Sequence, residues 1–263
     1  MKITSLKNPR ILAWRKLYKS RDRKDAPVFL VEGIREVLRG LEAGFSAQSL
    51  MYCPDIITPQ DLELITGLIS SSTQCLELSK EVYEKLAYRD KTEGVIGVFT
   101  KRTMTLEDLD PTSGSPFILL ENMEKPGNLG AVLRTADAVR CPGVIITGHK
   151  LDPWHPNVIR ASQGGVFTVP VVLSDNEEVH RWCKEQSLPI FATALPSYGS
   201  MYDIPIGQSC VMAFGTEATG LSPYWMEHAE ECFTIPMEGK VDSLNVSVAV
   251  ALALYESVRQ RTV

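Results

Sequence analysis

Short apolar runs bounded by glycine, proline and charged residues punctuate the chain, and between many of them the apolar positions fall at helical spacing. From Asn8 to about Ser20 they are Ile11, Leu12, Trp14, Leu17 and Tyr18, close to a helical period. VFLVEG, from Val28 to Gly33, predicts a short buried strand, followed by a helix from Ile34 to Ala43 that stops at Gly44. Ser49–Cys53 and Gly94–Phe99 predict further strands. Pro59–Ile69 and Lys80–Ala87 predict helices, the second capped by Ser79. Such alternation predicts a compact α/β unit ending near Lys101.

Arg102 to Pro116 is polar and carries the breakers Asp110-Pro111 and Ser113-Gly114-Ser115-Pro116, which predicts a linker. Beyond it the rhythm resumes: strands at Phe117–Glu121, Gly143–Thr147, Pro189–Thr193, Cys210–Phe214 and Phe233–Met237, with helices from about Leu129 to Val139, after Ser174, and from about Val246 to Val258. The expected division is 1–101, 102–116 and 117–263. The second half should be a largely parallel sheet covered on both faces, whose ligands sit beyond the carboxyl ends of the strands.

Composition changes this picture little. With 44% hydrophobic and 22% charged residues, the chain has the make-up of an ordinary globular protein. No run approaches the roughly 18 apolar residues of a membrane span, and the N-terminus has no apolar core of a secretion signal, so a cytoplasmic protein without a membrane partner is expected. Six scattered cysteines without a C-x-x-C read as reduced thiols, and the four histidines show no metal-ligand spacing. Charge is more telling. The net charge of −5 divides into +8 over residues 1–24, where nine Lys/Arg face one acid, and −13 over the remainder. A basic arm that meets phosphate and a solvated helix face both fit that asymmetry.

Three loops carry the chemistry. The first, after FILLE, runs Asn122-Met-Glu-Lys-Pro-Gly-Asn128-Leu-Gly130 into an alanine-rich helix bearing Arg134. Asn128 suits an N-cap, and Arg134, about two turns in, can reach back toward a phosphate at the helix mouth. A plain cap followed by a surface arginine has the same pattern. The second, Gly215-Thr-Glu217-Ala-Thr-Gly220-Leu-Ser222-Pro223, brackets a carboxylate with two glycines before a helix that starts at Ser222-Pro223. The third, from Ile235 to Ser247, sets Ser243, Asn245 and Ser247 ahead of an apolar helix. Capping needs one such residue, so three suggest a ligand with donors and acceptors to be matched. The helix itself, VSVAVALALYESV, should be buried against the sheet or a second subunit.

Together NLGAVLRTA (128–136), GTEATGLS (215–222) and IPMEGKVDSLNVSVA (235–249) resemble, in order, the three motifs of the SpoU (TrmH-like) family of RNA 2′-O-ribose methyltransferases. Arg160-Ala-Ser162-Gln-Gly164 resembles that family's R-A-S-x-G element, and NPRI with FLVEGIR resembles its accessory, ribosomal-protein-like, kink-turn-binding domain. The resemblance implies an N-terminal α/β substrate-binding domain and a C-terminal trefoil-knotted α/β methyltransferase domain, acting as a homodimer with S-adenosyl-L-methionine as cofactor. It further implies that Gly215, Ile235, Met237 and Leu244 contact the cofactor. Asn128, Arg134, Glu217, Ser243 and Asn245 would then surround the reacting centre. Ribosomal RNA is the favoured substrate, transfer RNA the alternative. A non-catalytic RNA-binding or ribosome-assembly factor would share the accessory domain but has no need of the third loop. Neither the G-x-G-x-x-G of open-sheet methyltransferases nor a P-loop is present.

Overall fold

The computed structural model describes residues 2–89, 92–148, 151–194, 199–216 and 218–262. In chain order its elements begin with β1 (Lys2–Ile3), α1 (Pro9–Lys16), α2 (Ser20–Lys24), β2 (Val28–Glu32) and α3 (Ile34–Glu42). There follow β3 (Ala47–Tyr52), α4 (Pro59–Thr66), β4 (Gln74–Leu78), α5 (Lys80–Leu86) and β5 (Val95–Thr100). The second half contains β6 (Phe117–Glu121), α6 (Pro126–Ala138), β7 (Val144–Thr147), α7 (Pro156–Ala161), β8 (Val171–Leu173), α8 (Asn176–Glu185) and β9 (Ile190–Thr193). It closes with β10 (Gly199–Ser200), β11 (Val211–Phe214), α9 (Pro223–His228), β12 (Glu231–Thr234) and α10 (Val246–Thr262).

Two compact units result: Met1–Arg102 with Asp152–Thr168, and Thr103–Leu151 with Val169–Val263. The first is a mixed sheet in the order β1-β4-β3-β5-β2, in which β5 runs antiparallel to both neighbours. Leu30, Met51, Leu76, Leu78, Ile96 and Val98 from the strands meet Val82, Tyr83 and Leu86 of α5 in one core. In β2, β3 and β5 nearly every position is buried, as their continuous apolar runs predict. The edge strand β1 and its neighbour β4 escaped the sequence reading, since two residues carry no period and Gln74–Leu78 exposes its first two positions.

Asp152–Thr168 completes this first unit, although the sequence reading draws one continuous domain over 117–263. Trp154 stacks on Phe29 with ring centroids 4.4 Å apart, and Phe167 meets Phe45 edge-on at 5.2 Å. Arg39 donates to the carbonyl of Gln163 at 2.7 Å. Arg23 is only 1% exposed; it donates to Asp152 at 2.5 Å and to the carbonyls of Leu17 and Tyr18 at 2.8 and 3.1 Å. One member of the basic arm is therefore an internal brace, and the other eight Lys/Arg of residues 1–24 are exposed.

The second unit is a seven-stranded, all-parallel sheet in the order β10-β12-β9-β11-β6-β7-β8. Its core joins Phe117, Leu119, Ile145, Val172 and Val211 of the strands to Val179 and Trp182 of α8 and Trp225 of α9. Leu106 and Leu109, inside the expected linker, are buried in the same core, so this stretch is structural from Thr103 on. A short 3-10 turn at Leu106–Asp108, closed by a Thr105–Asp108 capping box, delivers both leucines. Helices α6 and α10 pack together. On α10 Val250, Ala253 and Leu254 are fully buried, while Val248, Leu252 and Tyr255 stay 43–57% exposed. The apolar helix is thus buried on one side only. No helix among the described residues is long and apolar enough to cross a membrane.

Candidate active site

In a parallel sheet every strand ends on the same edge, so the loops that follow neighbouring strands crowd together there. Beyond the adjacent strands β9, β11 and β12 they enclose a cavity of about 510 Å³. Thr193 and Ala194 line it after β9; Gly215, Thr216, Ala218, Thr219, Gly220 and Leu221 after β11; Ile235 and Met237 after β12. The third loop adds Asp242, Ser243 and Leu244, and α10 adds Val246 and Ala249. Asp242 is the one charged side chain among the described lining residues, so the wall suits a ligand that is cationic or neutral better than one bearing phosphates.

The loop after β11 is held by its own backbone. Thr216 and Gly220 exchange N–H···O bonds of 3.2 and 3.0 Å, and Thr219 donates its N–H to the Thr216 hydroxyl at 3.1 Å. Gly220 turns the chain at φ +67°, a value that favours glycine. A Cβ on Gly215 would collide with the backbone of Gly220 and Leu221, so only glycine lets the strand end fold back this closely. The sequence signal there, two bracketing glycines, had a conformational cause.

The far end of that loop is anchored by a carboxylate outside the three loops singled out in the sequence. Glu121, at the end of β6 and 3% exposed, accepts from the N–H and the hydroxyl of Ser222 at 2.7 Å each and from Asn176 Nδ2 at 2.9 Å. Asn176 Oδ1 accepts in turn from Trp225 Nε1 at 3.2 Å. Ser222 does occupy the N-cap of α9, but its side chain makes no capping bond because the carboxylate takes it. A lone Glu closing an otherwise apolar strand was the available hint.

Asn128 is not an N-cap. Pro126 fixes φ for the first turn, so α6 starts two residues before Asn128, after a Lys125 that makes no side-chain cap. Asn128 therefore lies inside the first turn, where its Oδ1 accepts from Asn245 Nδ2 at 3.2 Å. The third loop and the first motif thus meet through this pair. Asn245 adjoins Leu244 and Ser243 at the cavity, and Arg134 sits exposed on α6 and outside the cavity lining. β12 ends at Thr234, so Ile235 and Met237 belong to the loop rather than to the strand expected through Met237. Of the expected site residues, Gly215, Ile235, Met237, Ser243 and Leu244 border one cavity, Asn128 and Asn245 touch each other, and Glu217 lies outside the described residues. Thr193 and Asp242 line the cavity without having been singled out; the rule of strand carboxyl ends pointed to the first.

Comparison with known proteins covers both units. Residues 115–255 match the SpoU rRNA Methylase family, and residues 8–97 match the MRM3-like substrate binding domain. A 23S rRNA (uridine(2479)-2′-O)-methyltransferase of Streptomyces viridochromogenes is 30% identical, over 99% of this chain and 92% of its own. A 23S rRNA (guanosine(2553)-2′-O)-methyltransferase of Bacillus subtilis is 27% identical, over 96% and 97%. Among solved structures, an AdoMet-bound rRNA methyltransferase from Sinorhizobium meliloti superposes with a TM-score of 0.90 at 30% identity, covering 98% of this chain and 97% of that one.

Proposed function

Because the chain belongs to the SpoU rRNA Methylase family, we propose that it methylates a ribose 2′-hydroxyl in ribosomal RNA, with S-adenosylmethionine as the methyl donor. The observation that carries this reading is the single cavity bounded by the loops after β9, β11 and β12, into which the residues of the second and third motifs converge. The relatives that act on 23S rRNA 2′-oxygens span nearly the whole chain, accessory unit included, which supports a ribosomal substrate. They differ in the base beside the target ribose, guanosine in one and uridine in the other, so the base is not set by the family.

The cavity fits the donor. Its volume lies within the range of about 300–1,000 Å³ usual for small-molecule sites. Backbone at Gly215 and Ile235 offers donors and acceptors to a purine, and Met226, Leu244 and Val246 give apolar walls. S-adenosylmethionine supplies an electrophilic methyl group on a sulfonium, and the scarcity of cationic lining suits that positive charge. Gly215, Ile235, Met237 and Leu244 hold it in this reading. The same family reading threads the third loop and α10 through a preceding loop as a trefoil knot, consistent with two loops closing one cavity.

A ribose hydroxyl attacks only as its proton leaves, so the chain must hold the ribose in place and ease that loss. Arg134 fixes a phosphate next to the target ribose through its planar fork of donors. Ser243, Asn128 and Asn245 position the hydroxyl, with Glu217 in the loop between the bracketing glycines as a further member of the set. The exposed residues Val248, Leu252 and Tyr255 at i, i+4 and i+7 form an apolar stripe on α10, which supports a homodimer packed through this helix. The eight exposed basic residues near the N-terminus meet the RNA backbone, and the protein works in the cytoplasm.

Calorimetric titration with S-adenosylmethionine tests the cavity, and mapping 2′-O-methyl sites on total RNA with and without the gene tests the substrate. Saturable binding and the loss of one ribosomal site are expected. Absence of binding would leave a non-catalytic RNA binder, and a site lost from transfer RNA alone would move the substrate.

A further inference from the structure

The cavity beyond β9, β11 and β12 has few groups that respond to the charge of a ligand. Asp242, in the third loop, is the one charged side chain among its described lining residues. Its side chain is exposed, and among the described residues no ion pair engages it. Lys240, the nearest cation in the sequence, is exposed too and lies outside the lining. The start of α10 borders the same cavity through Val246 and Ala249, and the partial positive charge of a helix N-terminus disfavours a cation there. Asp242 offsets it. Phe214, Met226 and Leu244 add apolar wall, across which a carboxylate's field is screened less than in open water. At the scale of this cavity the carboxylate acts on a ligand's charge without touching it.

We infer that Asp242 is a specificity-determining residue: its charge shifts the affinity of the cavity toward the methyl donor, S-adenosylmethionine, and away from the spent cofactor, S-adenosylhomocysteine. The inference rests on the functional reading above. In methyl transfer the sulfur–methyl bond breaks and its electron pair stays on sulfur. A new carbon–oxygen bond forms at the ribose, and the hydroxyl proton goes to solvent. The cofactor thus enters as a sulfonium cation and leaves as a neutral thioether, with its purine, ribose, ammonium and carboxylate unchanged. Only a methyl group and one positive charge separate the two compounds. A pocket gains little discrimination from a single methyl, so the charge is the handle left to it. The Asp242 carboxylate attracts the sulfonium and has no hold on the thioether. Each turnover therefore weakens the grip on its own product and frees the cavity for the next donor.

Calorimetric titration of each compound into the full chain and two variants tests this without any turnover. Asp242→Asn should weaken the Kd of S-adenosylmethionine about fivefold and leave that of S-adenosylhomocysteine unchanged. Asp242→Glu keeps the charge and should keep the wild-type ratio of the two constants. Raising the salt from about 0.05 to about 0.5 M should draw the wild-type ratio toward that of the asparagine variant, because screening acts on the charge alone. Tm should match wild type in both variants, the side chain being exposed. The inference is overturned if Asp242→Asn changes the ratio by less than about twofold, or if both compounds weaken equally. It is overturned as well by a glutamate variant that behaves like the asparagine one, or by a wild-type ratio that salt leaves level. If the wild type binds neither compound, the functional reading fails and the inference falls with it. Binding of both with an unchanged ratio sinks the inference alone.

Discussion

Ser222 places both its N–H and its hydroxyl on the buried carboxylate of Glu121, each at 2.7 Å, with Asn176 Nδ2 as a third donor at 2.9 Å. All the partners donate, so an acceptor-only group matches them and an amide does not. Glu121→Gln would set an N–H₂ against another N–H in a site 3% exposed, a mismatch that should cost about 1–3 kcal/mol of stability. Because Leu221 and Gly220, just before Ser222, line the cavity, affinity for S-adenosylmethionine should weaken more than kcat at saturation. Urea unfolding and calorimetry would check this pair of effects. A variant with wild-type stability and wild-type Kd would show that the carboxylate braces nothing.

Arg134 is exposed on α6 and stands apart from the cavity lining, so its loss should spare the cofactor. Arg134→Ala is expected to lower methyl transfer at least a hundredfold, on the order of about 3 kcal/mol of transition-state stabilisation. Kd for S-adenosylmethionine should stay within a few-fold. Lysine at this position should recover little, because one ammonium cannot replace a planar fork on phosphate. Single-turnover rates measure it, and transfer surviving within a few-fold would remove Arg134 from the reacting centre.

Leu252 lies midway along the exposed stripe of α10, 43% exposed between Val248 and Tyr255. Leu252→Asp puts a charge into that stripe without touching the buried face of the helix. Light scattering after gel filtration should find a dimer for the wild type and a monomer for the variant, with far-UV circular dichroism unchanged. A dimer that persists in the variant would place the interface elsewhere.

Burial raises the Glu32 carboxyl above its ordinary value of 4.5, and this outweighs the Tyr88 and Arg89 backbone N–H groups that donate to it at 2.7 and 3.3 Å and pull the other way. The folded state therefore keeps a proton that the unfolded chain has released. This contribution to stability is full below the ordinary carboxylate value and is lost as pH rises through the higher folded value. The difference in unfolding free energy between wild type and Glu32→Gln should fall with increasing pH across that window. A difference that is level, or that grows with pH, contradicts the assigned direction.

Reading the sequence located β2, β6 and β11, because Val28–Glu32, Phe117–Glu121 and Val211–Phe214 are buried almost throughout and bounded by turn residues. It also found the three loops, since glycines and surplus polar residues at strand-to-helix junctions are local features. What it missed is non-local. The Asn128–Asn245 bond and the Glu121–Ser222 anchor join residues more than a hundred positions apart, and no periodicity encodes such a pairing. The misplaced cap at Asn128 had a local cause, Pro126, which starts the helix earlier than its apolar period does. The family motifs supplied the chemistry that spacing alone left open.

The excursion of Asp152–Thr168 into the first unit bears on how this chain can be divided. The family matches end and begin at 97 and 115, as though one cut there would release two pieces. A fragment starting at Thr103 would carry the buried Val158, Ile159 and Phe167 into water, stripped of their cover on β2 and α3. A fragment ending at Arg102 would keep Arg23 without Asp152, an unpaired buried charge of the kind that costs about 3–5 kcal/mol. The first unit is thus discontinuous in sequence, with Asp152–Thr168 belonging to Met1–Arg102. Gene fusions, truncations and domain exchanges that treat the two units as interchangeable parts must carry the 17 residues from Asp152 to Thr168 along with the N-terminal half.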